Sequence, residues 1–412
     1  MGIVIPLLLI CFACLVIWRA GDGFMTASLY VGRNLSEGVR GATINAIASS
    51  MPEVFTSLFF LFILHQDGIG FTGGIGTTAG SAIFNSMVIP AVSVLAVISV
   101  GLTKRIQVSK KVMIRDGIAL IIVEFIFLIF ISGNTLFWYH GFGLMLAYVA
   151  YLAVMLLTMK KRQSPETPRD PFNTDDENKM NSPKTKVAPK TSFFKGILTF
   201  DLERIFIGKA EINKARAWAL LIFSTISIAL VCYFLVLGCE WIGTGEGSGL
   251  GGEKSYTFFG LELVGLGIPV IFVALILASV ASSFPDMIIS MKDAKKGNYD
   301  DAISNALGSN IFDVCFALGL PLMIYTLMNG PIKMGDEIVR QSTELRFLLW
   351  LLTIVVVVLF ISGKYLKKGK AYILLSLYSL FILYVIGRGT KNKFAQEFAD
   401  WIVGFAHMLG IS

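Results

Sequence analysis

Long apolar runs, broken by short polar ones, set the pattern of this chain from its first residues. Ten stretches, roughly 3–19, 41–64, 75–99, 117–132, 138–158, 216–238, 263–291, 302–328, 347–362 and 371–387, are each about as long as a helix that crosses a bilayer. Uninterrupted runs such as Ile354 to Ile361 satisfy their backbone polarity in hydrocarbon only as helices, and the alternation of a barrel strand is absent. The pattern predicts an all-α integral membrane protein with ten transmembrane helices.

Composition agrees. Over 412 residues the mean hydropathy is +0.72 and only 15% of residues are charged, which excludes an ordinary soluble domain. Most of the 35 Lys and Arg fall in the connections after spans 1, 3, 5, 7 and 9, among them Lys104, Arg105, Lys110, Lys111 and Arg115. That asymmetry places both termini on the non-cytoplasmic side. It also accounts for the net charge of +7 by contact with anionic lipid, so no nucleic-acid partner is implied. The first span has no basic residue before it and ends on Trp18-Arg19-Ala20-Gly21, so it reads as a retained helix. Five cysteines and three histidines show no metal spacing, disulfide framework or catalytic grouping, and no cofactor is expected.

Residues 159–215 interrupt the apolar pattern. From Lys160 through Asp175-Asp176-Glu177 to about residue 192 the chain reads as a solvated, disordered linker. Phe193 to Phe200 and Ile205-Phe206-Ile207 suit a helix on the membrane surface, as does Phe394 to Trp401 in the tail. The linker divides the spans five and five, giving repeats at 1–158 and 216–388 and a tail at 389–412. An odd number per half inverts the second half relative to the first. The sequence repeats accordingly: Ala48-Ser49-Ser50-Met51-Pro52-Glu53 returns as Ala281-Ser282-Ser283-Phe284-Pro285-Asp286, and Gly80-Ser81-Ala82-Ile83-Phe84-Asn85 returns as Gly308-Ser309-Asn310-Ile311-Phe312-Asp313. A glycine-rich insertion near Gly68 to Gly76 lengthens the first repeat and falls at its outer entrance.

Pro52 and Pro285 each remove a helical donor and free the carbonyls of Ala48 and Ala281, so each helix is expected to break beside its acid. Freed carbonyls and seryl hydroxyls in such breaks are hard oxygen ligands. Ionised Glu53, Asp286 and Asp313 would each cost at least about 2.5–3.5 kcal/mol at mid-bilayer, and spans 2, 3, 7 and 8 offer no Lys or Arg to offset it. Cations are the expected partners. Calcium takes about 6–8 oxygens, and Glu53 with Asp286 neutralise it; Asn85 and Asp313 add an amide oxygen and a third carboxylate. The surplus negative charge accepts a monovalent ion or a proton. Gly80 and Gly308 are expected to let spans 3 and 8 approach the breaks closely. Glu124, in span 4 and without a counterpart in the repeat, reads as a partner or snorkelling group rather than a ligand.

At these residues the sequence resembles the cation/calcium exchanger superfamily, and most closely its potassium-dependent sodium/calcium exchangers. Asp286 after the second proline, the Gly308 to Asp313 motif, Ala317-Leu318-Gly319-Leu320-Pro321 beyond it, and Arg115-Asp116 carry that resemblance. It implies calcium held by Glu53 and Asp286 with carbonyls near Ser49 and Ser282, and sodium held also by Ser50, Ser81, Ser283 and Ser309, with Asn85 and Asp313 lining the centre. It ties the acid at Asp313 to potassium use and makes spans 1 and 6 the moving gate. Ala48 and Ala281 stand where the family usually has glycine, and Ser49 and Ser282 where threonine is frequent, which bears on ion preference or turnover.

The expectation is therefore a sodium/calcium antiporter working by alternating access, with potassium co-transport left open. Its partners are calcium, sodium, optionally potassium, and membrane lipid. The alternative is a proton-coupled exchanger of calcium or another divalent cation, which the abundance of seryl hydroxyls disfavours. An intramembrane enzyme is not expected, since neither Ser50 nor Ser283 has a histidine or lysine base in its span. Stoichiometry, direction, the particular membrane and oligomeric state are not legible.

Overall fold

Backbone that lies in hydrocarbon must bond to itself, and the chain responds with helices wherever the apolar runs occur. The computed structural model describes residues 1–31, 46–64, 68–103, 105–158, 196, 199–208, 212–246, 254–363 and 365–410. In chain order its helices are α1 (Val4–Val31), α2 (Ala46–Ser49), α3 (Met51–Ile63), α4 (Ile69–Ser99), α5 (Lys110–Phe130), α6 (Trp138–Thr158), α7 (Leu202–Phe206) and α8 (Lys214–Gly243). There follow α9 (Val270–Ser282, with a π turn at Ala274–Ala278), α10 (Phe284–Lys295), α11 (Tyr299–Phe312), α12 (Gly319–Asn329), α13 (Asp336–Ile361), α14 (Lys368–Gly389) and α15 (Lys393–Met408). A second π turn, Asp313–Ala317, joins α11 to α12.

Among the described residues seven helices are long and apolar enough to cross a membrane, or eight if the bent pair α9–α10 is one span. α3 is shorter, and α5 carries Arg115, Asp116 and Glu124 along its length. Several elements outrun the expected boundaries. α1 continues through Trp18 and Arg19 to Val31, and α4 begins at Ile69, so the glycines expected as an inserted entrance are helical. The reason is packing: a Cβ on Gly70 would meet the Phe60 carbonyl at 2.4 Å, one on Gly73 the Phe60 ring at 2.4 Å, and one on Gly76 the Ile271 carbonyl at 2.6 Å. Small residues here let helices touch backbone to backbone. The linker from Lys160 through Asp175-Asp176-Glu177 to Lys195 lies outside the described residues, as do 41–45 of the second expected span.

Two large hydrophobic cores result, beside a small third cluster of Phe84, Val88, Ile89 and Ala306. One gathers side chains of α4, α5, α6, α11, α12, α13 and α14, such as Phe71, Leu120, Leu144, Leu307, Leu322, Phe347 and Phe381. The other joins α1 and α8 to α3 and α9 through Ile17, Phe60, Ile228, Leu235, Val273 and Ala278. α1 and α8 pack closely because Gly23 lies against Ser224 and Leu220, and Gly238 against Ile10. The short helix α7 rests on this pair, its Phe206 ring 4.9 Å from that of Phe223.

Paired backbone segments fasten the connectors. β1 (Thr135–Leu136), between α5 and α6, pairs antiparallel with β4 (Ile332–Lys333), between α12 and α13. At the other end of α5, Ile106 bridges Leu366 between α13 and α14. β2 (Tyr256–Phe258) and β3 (Leu261–Leu263) form a hairpin after α8, and the Tyr256 hydroxyl donates to the Gly2 carbonyl at 2.8 Å, tying it to the start of α1.

Candidate ion-binding site

Both prolines act as expected. Pro52 and Pro285 stand in the first turn of α3 and α10, and the helices part at Ser50 (φ −97°, ψ 11°) and Ser283 (φ −82°, ψ 0°). α9 and α10 bend by 42° there. Glu53 and Asp286 consequently fall in the first turn of a new helix, where unpaired amides and the helix dipole favour negative charge.

The two breaks meet across α4 and α11. The Ser81 hydroxyl of α4 stands 3.3 Å from Glu53 Oε1, 3.0 Å from Asp313 Oδ2 and 2.7 Å from the Ser283 hydroxyl. Ser283 also donates to Glu53 Oε1 at 3.2 Å. A hydroxyl has one proton, so Ser81 can serve only one of its two carboxylates at a time. Asn85 Nδ2 reaches the Ser81 hydroxyl at 3.3 Å, the Ser309 hydroxyl at 3.3 Å and Asp313 Oδ2 at 3.5 Å. Each acid of a break faces the serines of the other break, Ser282 and Ser283 lying beside Glu53 and Ser49 beside Asp286; Ser50 lies beside Asp313.

All ten residues singled out in the sequence, Ser49, Ser50, Glu53, Ser81, Asn85, Ser282, Ser283, Asp286, Ser309 and Asp313, are fully or almost fully buried. Among the described residues no Lys, Arg or His makes an ion pair with any of the three acids. Among the described residues, six buried oxygens here, one each of Glu53, Asp313, Asn85 and Ser50 and both of Asp286, make no hydrogen bond of good geometry, and their nearest polar neighbours are neutral serines and asparagines. Acceptors so placed are costly unless a cation or proton satisfies them. The acids do not close on one point by themselves: among the described residues no three Asp, Glu, His or Cys side chains gather at metal-ligand range. An ion held here takes hydroxyl, amide and carbonyl oxygens as well, the mixed hard-oxygen shell that calcium and sodium accept.

One expectation about neighbours changes and one narrows. Gly80 does allow close approach, since a Cβ there would lie 2.2 Å from the Leu275 carbonyl, whereas a Cβ on Gly308 would meet nothing within 4 Å among the described residues, so no such contact is seen there. Of the two roles expected for Glu124 the structure takes the partner rather than the snorkelling group: it is buried and accepts from Thr353 at 2.9 Å. Sequence reasoning missed Asn310, whose amide donates to the Ala82 carbonyl at 2.9 Å and joins α11 to α4. The available signal was the mismatch of the repeats, since Asn310 occupies the place of Ala82. It also missed the second support of the first break, where the Pro52 carbonyl accepts from Thr56 at 2.6 Å and from the Cys232 thiol of α8 at 3.6 Å.

Broken helices facing one another around buried carboxylates suit a membrane cation exchanger, and the comparisons agree. The sodium/calcium exchanger protein family model matches residues 5–157 and 216–387, so the chain belongs to that family, one of multi-pass membrane transporters. The human sodium/potassium/calcium exchanger 5 is 26% identical over 95% of this chain and 85% of its own length. Human sodium/potassium/calcium exchanger 4 is 34% identical over 31% of this chain, a stretch that spans only 19% of that relative. Two solved structures share the fold: the H+/Ca2+ exchanger CAX (TM-score 0.57, 11% identity, 97% of this chain and 92% of that one) and the sodium-calcium exchanger NCX_Mj (TM-score 0.52, 18% identity, 92% and 98%).

Proposed function

We propose that this chain is a sodium/calcium antiporter that works by alternating access and carries potassium with calcium. The observation that carries the reading is the Ser81 hydroxyl set between Glu53 and Asp313, with no basic side chain among the described residues paired to either acid. Glu53 and Asp286 hold calcium with carbonyls near Ser49 and Ser282. Sodium takes the hydroxyls of Ser50, Ser81, Ser283 and Ser309. Asn85 lines the centre, and Asp313 supplies the charge for potassium; the names of the human relatives support that last ion. Because calcium and sodium compete for the same oxygens, one leaves as the other enters, and exchange follows rather than conduction.

The chain reads as ten spans in two inverted repeats, 1–158 and 216–388, with a linker at 159–215 and a tail at 389–412 that lies at the membrane interface. The connectors support the inversion. The one after α4 pairs with the one before α14, and the one after α12 pairs with the one before α6, as a twofold relation between repeats requires. Both termini face away from the cytoplasm, and α1 with α8 forms the moving gate.

Calcium uptake into sodium-loaded proteoliposomes, with external potassium present or absent, tests the reading. Uptake driven by outward sodium, lost in Asp286→Asn, and requiring potassium unless Asp313 is changed to Asn, is expected. Uptake that follows an imposed pH gradient and ignores sodium would replace it with proton-coupled exchange.

A further inference from the structure

Far from the buried acids, α4 and α14 part to leave a cleft of about 340 Å³, lined by Val92, Leu95, Ala96 and Ser99 on one side and Lys368 and Tyr372 on the other. Its floor is apolar and its mouth is basic. The described residues of the segments at that mouth, 99–103, 105–111, 361–363 and 365–372, include six Lys and Arg and no Asp or Glu. The Ile106–Leu366 bridge keeps them together. Arg105 is spent on the Tyr365 ring, 4.1 Å from its centroid, and Lys370 on the Leu359 carbonyl at 2.8 Å. Asp300 reaches this face from α11 but is taken by the Ser109 amide at 2.6 Å. Among the described residues Lys367 and Lys368 have no ion-pair partner.

We propose that this cleft is a specific site for one anionic phospholipid, an acyl chain lying along Val92, Leu95 and Ala96 and the headgroup phosphate meeting Lys367 and Lys368. An apolar slot that opens directly onto unpaired lysines suits a molecule with a chain and a negative head, and neither feature alone would select one. Tyr372 adds a ring at the level where amphipathic aromatics settle. The site bears on transport through α4, because Val92 lies two turns from Asn85 on the same helix, and Phe84 packs edge-on against Tyr378 of α14 at 5.8 Å. A chain seated in the cleft braces the back of the helix that carries Ser81 and Asn85.

The test uses the full chain in phosphatidylcholine nanodiscs, titrated with phosphatidylglycerol, with retained lipid counted by native mass spectrometry. The parent should keep one phosphatidylglycerol per chain in preference to phosphatidylcholine. The paired change Lys367→Glu and Lys368→Glu, on the exposed surface, should weaken retention by about ten-fold or more. Filling the slot with Val92→Phe or Ala96→Trp should weaken it to a similar degree, with the thermal midpoint in phosphatidylcholine unchanged. Lys391→Glu, far along the chain from the cleft, should leave it intact. Equal retention of both lipids, or loss on charge reversal but not on filling the slot, would overturn the site. So would displacement of the lipid by inorganic phosphate at millimolar concentration, which would make the phosphate group alone the ligand.

Discussion

Ser81 and Ser283 stand with their hydroxyl oxygens 2.7 Å apart although 202 residues separate them. Each belongs to one copy of the repeated motifs, and each also touches Glu53. The pair is therefore where the two halves of the chain share a carboxylate. Removing one hydroxyl should loosen ion binding without disturbing the fold. Ser81→Ala is expected to raise the half-saturating calcium concentration by about ten-fold, the scale of a hydrogen bond to a charged group. Initial-rate uptake measurements across a calcium series would check it, and an unchanged half-saturation would remove Ser81 from the site.

Activity and stability should move in opposite directions at Asp286. Its oxygens have only the neutral side chains of Ser49, Asn85 and Asn305 beside them, and among the described residues no Lys, Arg or His pairs with it. Asp286→Asn removes that buried charge and should raise the thermal midpoint in calcium-free, sodium-free detergent by roughly 2 °C or more, while abolishing exchange. A drop in both would mean that the carboxylate holds the fold together.

The equivalent glycines of the two repeats should answer differently. Gly80→Ala drives a methyl against the Leu275 carbonyl and the Ser279 side chain and should cost about 1–3 kcal/mol or arrest transport outright. At Gly308 a methyl meets nothing and improves helix propensity, so Gly308→Ala should be neutral or slightly stabilising. Denaturation midpoints of the two variants, measured side by side, decide this.

Glu344 of α13 and Arg388 of α14 form a buried ion pair at 2.7 Å, with Tyr384 also donating to Glu344 and Arg388 lying over the Phe272 ring of α9. Breaking one side leaves an unpaired buried charge, so Glu344→Gln should destabilise by about 3–5 kcal/mol. Changing Arg388 to Met in the same chain should restore part of that loss, a coupling that a double-mutant cycle would measure.

α1 touches the second break through Trp18 against Phe284 and Gly21 against Pro285, and is pinned beyond it by Asp22 to Lys292 at 3.0 Å. If α1 moves against α10 during transport, a disulfide between Asp22→Cys and Lys292→Cys should stop exchange, and reductant should restore it. Full activity in the oxidised variant would leave α1 out of the motion.

The candidate site was legible in the sequence because its chemistry is expensive: an acid beside a proline in an apolar run has few uses, and two such runs in register leave fewer. Contacts that cost nothing locally were not legible. The glycines from Gly70 to Gly76 look like a loop until Phe60, Ile271 and Ala274 are known to press on them. Gly308 shares its motif with Gly80 but not its neighbours, so repetition misled there. Arg346 is buried with its guanidinium on the neutral oxygens of Ser342, Thr343 and Leu128, a placement that no spacing along α13 announces. The paired stretches within these connectors are only one or two residues long, too short to leave a periodic trace.

Those connectors decide what kind of machine the fold can be. Fastened at both ends by backbone bonds, the bundle of α4, α5, α6, α11, α12, α13 and α14 behaves as a chassis that cannot splay. α1 and α8 are strapped to each other by the hairpin that follows α8, and they pack on the broken helices α3, α9 and α10 rather than on that chassis. If that pair is the gate proposed above, its two helices must travel as a single piston, and one stroke would have to open one mouth while closing the other.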